Sequence, residues 1–170
     1  MAAIVINGSL WSLPASAFSQ SIDSIELSPD KIAGWRTVIS PLYPPENACL
    51  GEVVSRQGET DSVLVKSELP YDPAVFGIIV ADSTGAFRVA TGGEVDVLVD
   101  QSSPEIEVGD WVVTSGASGR IMPAEETWLE RTPVVGIALT DWSPADSAPT
   151  VRVLLTTGER VTLPSKSEEE

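Results

Sequence analysis

Serine and lysine are the side chains here that could carry covalent chemistry, and carboxylates are the ones that could hold a metal. The chain has no histidine and one cysteine, Cys49. Without imidazole, Ser–His and Cys–His nucleophile systems cannot be assembled, because both need a base that titrates near neutral pH. A Ser–Lys pair would have to draw on Lys31, Lys66 or Lys166, none of which lies in a nucleophile motif. Lys66 and Ser67 are neighbours on an expected strand, where adjacent side chains point to opposite faces. Cys49 lies within Asn47-Ala-Cys-Leu50 and reads as a small core residue. One thiol allows no internal disulfide, and the usual zinc ligand sets are out of reach.

The carboxylates repay closer reading. Glu94, Asp96 and Asp100 share one face of an alternating stretch with Leu98. Oxygen donors so placed suit Ca²⁺, and a charged strand edge that resists aggregation is the simpler account. Asp72, Asp82 and Asp141 fall at expected strand ends, where turn capping explains them. Gly92-Gly93 carries no nucleotide-binding fingerprint on its own. These residues give no ground for a cofactor, a metal or a catalytic centre, and no enzymatic activity is expected.

Binding residues are easier to find. Tryptophan occurs at 11, 35, 111, 128 and 142. Trp128 and Trp142 fall in expected loops, Glu125–Glu130 and Thr140–Pro144. A loop tryptophan can anchor a protein interface, offer a platform to a sugar, or cap the core locally, and all three readings stay open. Trp11, Trp35, Trp128 and Trp142 are the expected partner-binding set.

The elements that must position these residues are short strands. Valine and isoleucine dominate the apolar runs, and 13 glycines and 13 prolines punctuate them. Strand-like runs occur at Leu50–Val54, Ser62–Lys66, Val75–Ala81, Ala86–Ala90, Glu94–Val99, Trp111–Thr114, Val134–Thr140 and Val151–Thr156. Turn residues separate them, among them Gln57-Gly58, Ser83-Thr-Gly85, Gly92-Gly93 and Ser118-Gly119. No long stretch has a helical period. The expected fold is mainly β, a β-sandwich or small β-barrel of short antiparallel strands.

Three regions follow from the pattern. Residues 1–45 read as an N-terminal arm with a short strand at Ala3–Ile6, one helical turn after Ser28-Pro-Asp30, and a Pro-rich connector. Residues 46–158 form the β domain, and 159–170 an acidic tail. Charge sets the outer limits: 25 acidic against 10 basic residues give a net charge of −15, which repels phosphate backbones and argues against nucleic acid. No stretch approaches the ~18 unbroken apolar residues of a membrane span, and the start lacks the basic residues of a signal peptide.

The β domain repeats itself. Leu50-Gly-Glu-Val-Val-Ser55 leads to Pro73-Ala-Val-Phe-Gly-Ile-Ile-Val-Ala-Asp82, and Val108-Gly-Asp-Trp-Val-Val-Thr-Ser115 leads to Thr132-Pro-Val-Val-Gly-Ile-Ala-Leu-Thr-Asp141. A third strand follows each, Val95–Val99 or Val151–Leu155. Gly51, Gly109 and Asp110 read as tight-turn residues. Gly77 and Gly136, inside buried strands, read as points of close approach. The expected domain therefore has pseudo-repeated halves.

This order of Gly-acid turns and Val-Gly-Ile strands, over roughly residues 50 to 156, resembles small β domains of tailed-phage virion proteins. Such domains occur in capsid decoration (cement) proteins and in tail and fibre-tip modules. The resemblance implies a structural role in the virion, commonly as a homotrimer. It implies a partner in the major capsid protein or, alternatively, in tail or baseplate proteins. Decoration is the expected role, because the chain has no coiled-coil or β-helical shaft. Some fibre-tip relatives cleave themselves, but no motif here maps onto that activity.

Overall fold

β-branched residues resist helix and pack well on a pleated surface, and a sequence this rich in them builds one large antiparallel sheet. The computed structural model describes residues 37–58, 63–146 and 148–161, together with the backbone of 4–6 and 9–11. Eleven strands run in chain order: β1 Ile4–Ile6, β2 Ser9–Trp11, β3 Val38–Ile39, β4 Val53–Arg56, β5 Leu64–Lys66, β6 Val75–Ala81, β7 Phe87–Leu98, β8 Trp111–Thr114, β9 Ile121–Pro123, β10 Gly136–Ala138 and β11 Thr150–Leu155. A single helical turn, α1 Glu126–Leu129, falls between β9 and β10.

Strands β1 and β2 pair with each other in a separate two-stranded sheet. The others form a nine-stranded sheet in the order β5-β4-β6-β7-β11-β10-β8-β9, with β3 also on β7. It is antiparallel and curls into a half-barrel. One isolated parallel bridge, Val99 to Ile121, ties β9 back to the chain just beyond β7. Sixteen buried residues form the main core beneath the curl, including Val53, Ile78, Val97, Val112, Ile121, Val153 and Trp142. Antiparallel pairing and the mainly β class agree with the sequence.

The strand order reads alike from both ends. β5-β4-β6-β7 in the first half matches β9-β8-β10-β11 in the second, each an edge strand followed by three others. Local geometry follows suit. Gly51 and Gly109 have φ of 80° and 96°, a left-handed conformation that glycine adopts without penalty. Gly51 N donates to Ile79 O at 2.9 Å, and Gly109 N to Ala138 O at 2.8 Å. The acid after each glycine closes its own turn: Glu52 Oε2 accepts from Cys49 N at 2.7 Å, and Asp110 Oδ2 from Glu107 N at 2.9 Å.

Several local expectations are corrected. Gly92-Gly93 is no turn: β7 runs unbroken from Phe87 to Leu98 through it, with Gly93 at φ 92°. Ladder bonds from β6, β3 and β11 hold the chain extended where the glycine pair alone suggested reversal. Val38 and Ile39 form β3, which pairs with β7 in the main sheet. Glu159 and Arg160 bond to Val134 and Pro133. Cys49 is exposed rather than a core residue, because its turn faces outward while Ala48 fills the interior. Strand β9 was not foreseen, being three residues long and ending in proline. The expected helical turn after Ser28 lies outside the described residues, as do 162–170.

Candidate binding surface

Trp128 sits on α1 and is 42% exposed. Its ring lies 5.4 Å from that of Tyr71, the two planes tilted by 31°. The pair is held from several sides. Tyr71 N donates to Thr114 O at 3.0 Å, its hydroxyl accepts from Glu125 N at 3.3 Å, and Thr132 Oγ1 donates to Trp128 O at 2.9 Å. Tyr71 has φ of 55°, the one non-glycine residue with positive φ among those described. That conformation costs roughly 1–2 kcal/mol for a residue with a β-carbon, and strain of this kind collects at working surfaces. Leu69, two residues earlier, is 61% exposed. The result is a pre-ordered aromatic platform.

Trp142 does not join it. Expected among the loop tryptophans, it is buried at 2% exposure and belongs to the main core. Its Nε1 donates to Ala148 O at 3.0 Å, and its backbone exchanges hydrogen bonds with Ile106. The indole satisfies its polar atom internally and is not presented to a partner. Trp11 is described only as backbone in β2, and Trp35 lies outside the described residues. Of the four expected partner-binding tryptophans, the two whose side chains are described therefore part: Trp128 lies on the surface and Trp142 in the core.

A second surface was missed by the sequence. Val38, Ile39, Pro41, Pro73 and Phe76 line an open groove of about 590 Å³ together with Arg56 and Thr157. The Arg56 guanidinium lies 4.5 Å from the Phe76 ring centroid, a cation–π contact. Strand β3 supplies the signal that could have exposed it: two adjacent β-branched residues flanked by polar ones and followed by Ser40-Pro41.

The carboxylates serve the fold. Asp82 Oδ1 accepts from Thr84 N, Thr84 Oγ1 and Ala86 N, while Oδ2 accepts from Arg88 Nε at 3.1 Å. The Thr84 hydroxyl bond leads in holding its pKa far below the ordinary carboxylate range. Asp100 is lowered chiefly by the Ser102 hydroxyl. Asp96 pairs with Arg152 at 3.2 Å across β7 and β11. Among the described residues no group of three or more His, Cys, Asp or Glu side chains could hold a metal ion. A cleft of about 390 Å³ carries Glu105, Glu107, Asp141 and Asp146, but Asp141 caps Val108 N and Asp146 caps Ser143 N.

Among the described residues, the nearest approach to nucleophile chemistry is also committed elsewhere. Lys66 Nζ lies 3.0 Å from Glu52 Oε1. Ser67, 1% exposed, donates its hydroxyl to Asp72 Oδ2 at 3.1 Å. Asp72 in turn accepts from Ala74 N, and its own N donates to Thr114 Oγ1. This buried network joins the loop before β6 to the end of β8. What the described arrangement offers a ligand is apolar and aromatic surface. Neither the protein-family models nor the curated proteins give a match to this chain.

Proposed function

We propose that this chain is a structural, non-enzymatic part of a tailed-phage virion. In this reading it is a capsid decoration protein that binds the outer shell through the major capsid protein and works as a homo-oligomer. One observation carries it: the residues on which the resemblance rests are spent on scaffold. Gly51 and Gly109 make matching turns, and Gly77 and Gly136 sit where a β-carbon would crowd Val89 Cγ1 and Val153 Cγ1, each at 2.7 Å. The matching strand order and matching turn bonds support descent of the two halves from one duplicated unit. The commitment of Lys66 to Glu52 and of Ser67 to Asp72 supports a role without covalent chemistry. A body of this kind works by shape and surface, as a cement protein must.

Quantitative mass spectrometry of purified particles tests the reading. Copy number on the order of that of the major capsid protein is expected, together with lower heat resistance of particles stripped of the protein. A few copies confined to tails would overturn it. That outcome would favour a tail or fibre-tip module that contacts the host surface, a reading to which the exposed Trp128, stacked on the half-buried Tyr71, lends support. Binding to host surface polysaccharide that is lost in Trp128→Ala would then establish the alternative.

A further inference from the structure

The two ends of the nine-stranded sheet look equivalent but are finished differently. Ser67 N donates to Val53 O, as Ala124 N donates to Trp111 O. Gln57 N donates to Val63 O, as Ser115 N donates to Arg120 O. On this correspondence Leu64 takes the place of Ile121, and Lys66 that of Pro123. At the β9 end the outer edge is closed. Ile121 bridges Val99, its carbonyl accepts from Asp100 N at 2.9 Å, and Pro123 has no N–H to offer.

At the β5 end the outer edge is open. Val65 pairs with Ser55, and the alternation of an antiparallel ladder turns the N–H and C=O of Leu64 and Lys66 away from β4. Among the described residues these groups have no backbone partner. An unpaired edge is a template for a further strand. Val63 and Leu69, close to either end of β5 in the chain, are 49% and 61% exposed.

The chain also contains an unplaced pair of strands. Among the described residues β1 and β2, Ile-Val-Ile and Ser-Leu-Trp, pair only with each other. A lone two-stranded hairpin is at best marginally stable in water and needs a sheet or helix to pack on. We propose that the β1–β2 hairpin of one copy adds to the β5 edge of a second copy. It takes up the outward groups of Leu64 and Lys66, and the sheet then continues from chain to chain. A second copy is the occupant because, among the described residues of one chain, the hairpin forms a separate sheet and no strand pairs with the outer edge of β5. Residues 12 to 36 allow it: at roughly 3.3 Å per residue they can span on the order of 80 Å, against a radius of about 14 Å for a body of this size. The proposal does not depend on the virion reading, and its test uses the isolated protein.

The full 170-residue chain is produced with natural and with ¹⁵N label, mixed, and treated with an amine-reactive cross-linker. A link between the Met1 α-amine and Lys66 in which the two peptides differ in isotope is expected, at about half of all such links. Sedimentation should show an assembly larger than one chain. Lys66→Pro, which copies the finish of β9, is expected to return the chain to a monomer, while Lys66→Met keeps the N–H and the assembly. A monomer at all concentrations, links confined to one isotope, or an assembly without a Met1–Lys66 link would overturn the proposal. The wild-type cross-link decides the matter even if Lys66→Pro fails to fold.

Discussion

At Gly136 an added β-carbon would fall within contact of the Leu154 carbonyl oxygen and lie 2.7 Å from Val153 Cγ1; at Gly77 the same clash involves Ala90 O and Val89 Cγ1. Neither carbonyl can retreat, because Ala90 lies in β7 and Leu154 in β11, each held in ladders on both sides. Overpacking of this kind costs roughly 1–3 kcal/mol or more, so Gly77→Ala and Gly136→Ala should each lower stability by about 3 kcal/mol in a denaturant titration. Gly58→Ala, with nothing within 4 Å but φ of 76°, should cost only about 1–2 kcal/mol. A neutral Gly136→Ala would show that the strands do not approach so closely. Asp82 gives a pH-dependent counterpart. Its folded pKa lies below the unfolded value, first through the Thr84 hydroxyl and then through the Thr84 amide, despite some opposing desolvation. A group depressed on folding contributes stability above its unfolded pKa of about 3.9 and loses it as pH falls toward the folded value. Asp82→Asn should therefore flatten the fall in stability below about pH 4 while changing little of its slope near neutrality, read by melting at stepped pH.

Among the elements, β7 does the joining, pairing with β6 and β3 along its first part and with β11 along its second. Its two runs of alternating residues were legible as strands, and so were β6 and β8 to the residue, because buried β-branched runs bounded by turn residues leave little choice. That the two runs are one strand was not legible: Gly92-Gly93 has turn propensity, and only neighbours remote in sequence keep it extended. β9 escaped notice for a related reason, since Ile-Met-Pro has no periodicity and its place comes from the β8 ladder and the Val99 bridge. The same limit divides the tryptophans. Trp128 and Trp142 both fall in expected loops, yet one lies on α1 against Tyr71 and the other beneath the curl against Ile106. Local sequence carries no information on which face of the body a loop crosses. The difference is measurable. Trp142→Ala should cost on the order of 3–5 kcal/mol, the usual toll for emptying a buried indole, whereas Trp128→Ala should change stability by about 1 kcal/mol or less. Equal losses would mean that Trp128 is a core residue too.

For the molecule as a whole, charge decides the response to solvent. The sequence pI is about 4.2 and the net charge −15. Among the described residues the ion pairs are Lys66–Glu52, Arg88–Asp82 and Arg152–Asp96. Salt acts on the two terms in opposite directions: it weakens exposed pairs and relieves repulsion among the excess carboxylates. Arg88–Asp82 has side chains 36% and 24% exposed and Arg152–Asp96 side chains 53% and 58% exposed, and such pairs are worth about 0–1 kcal/mol each. With 25 acidic against 10 basic residues, an excess of 15 carboxylates has no basic residue to pair with, so relief of repulsion wins. Raising NaCl from about 0.02 to 0.5 M, which shortens the screening length from roughly 20 to 4 Å, should raise the melting temperature. A gain of about 1 kcal/mol corresponds to 2–4 °C for a chain of this size. Assembly should respond in the same direction, because two bodies of like charge must approach for β1–β2 of one to reach β5 of the other. Sedimentation across the same salt series is expected to show association strengthening with ionic strength alongside the rise in melting temperature. A melting temperature that falls with salt would mean that the few ion pairs outweigh the repulsion. Association that weakens with salt would mean that opposite charges, rather than main-chain pairing, hold the copies together.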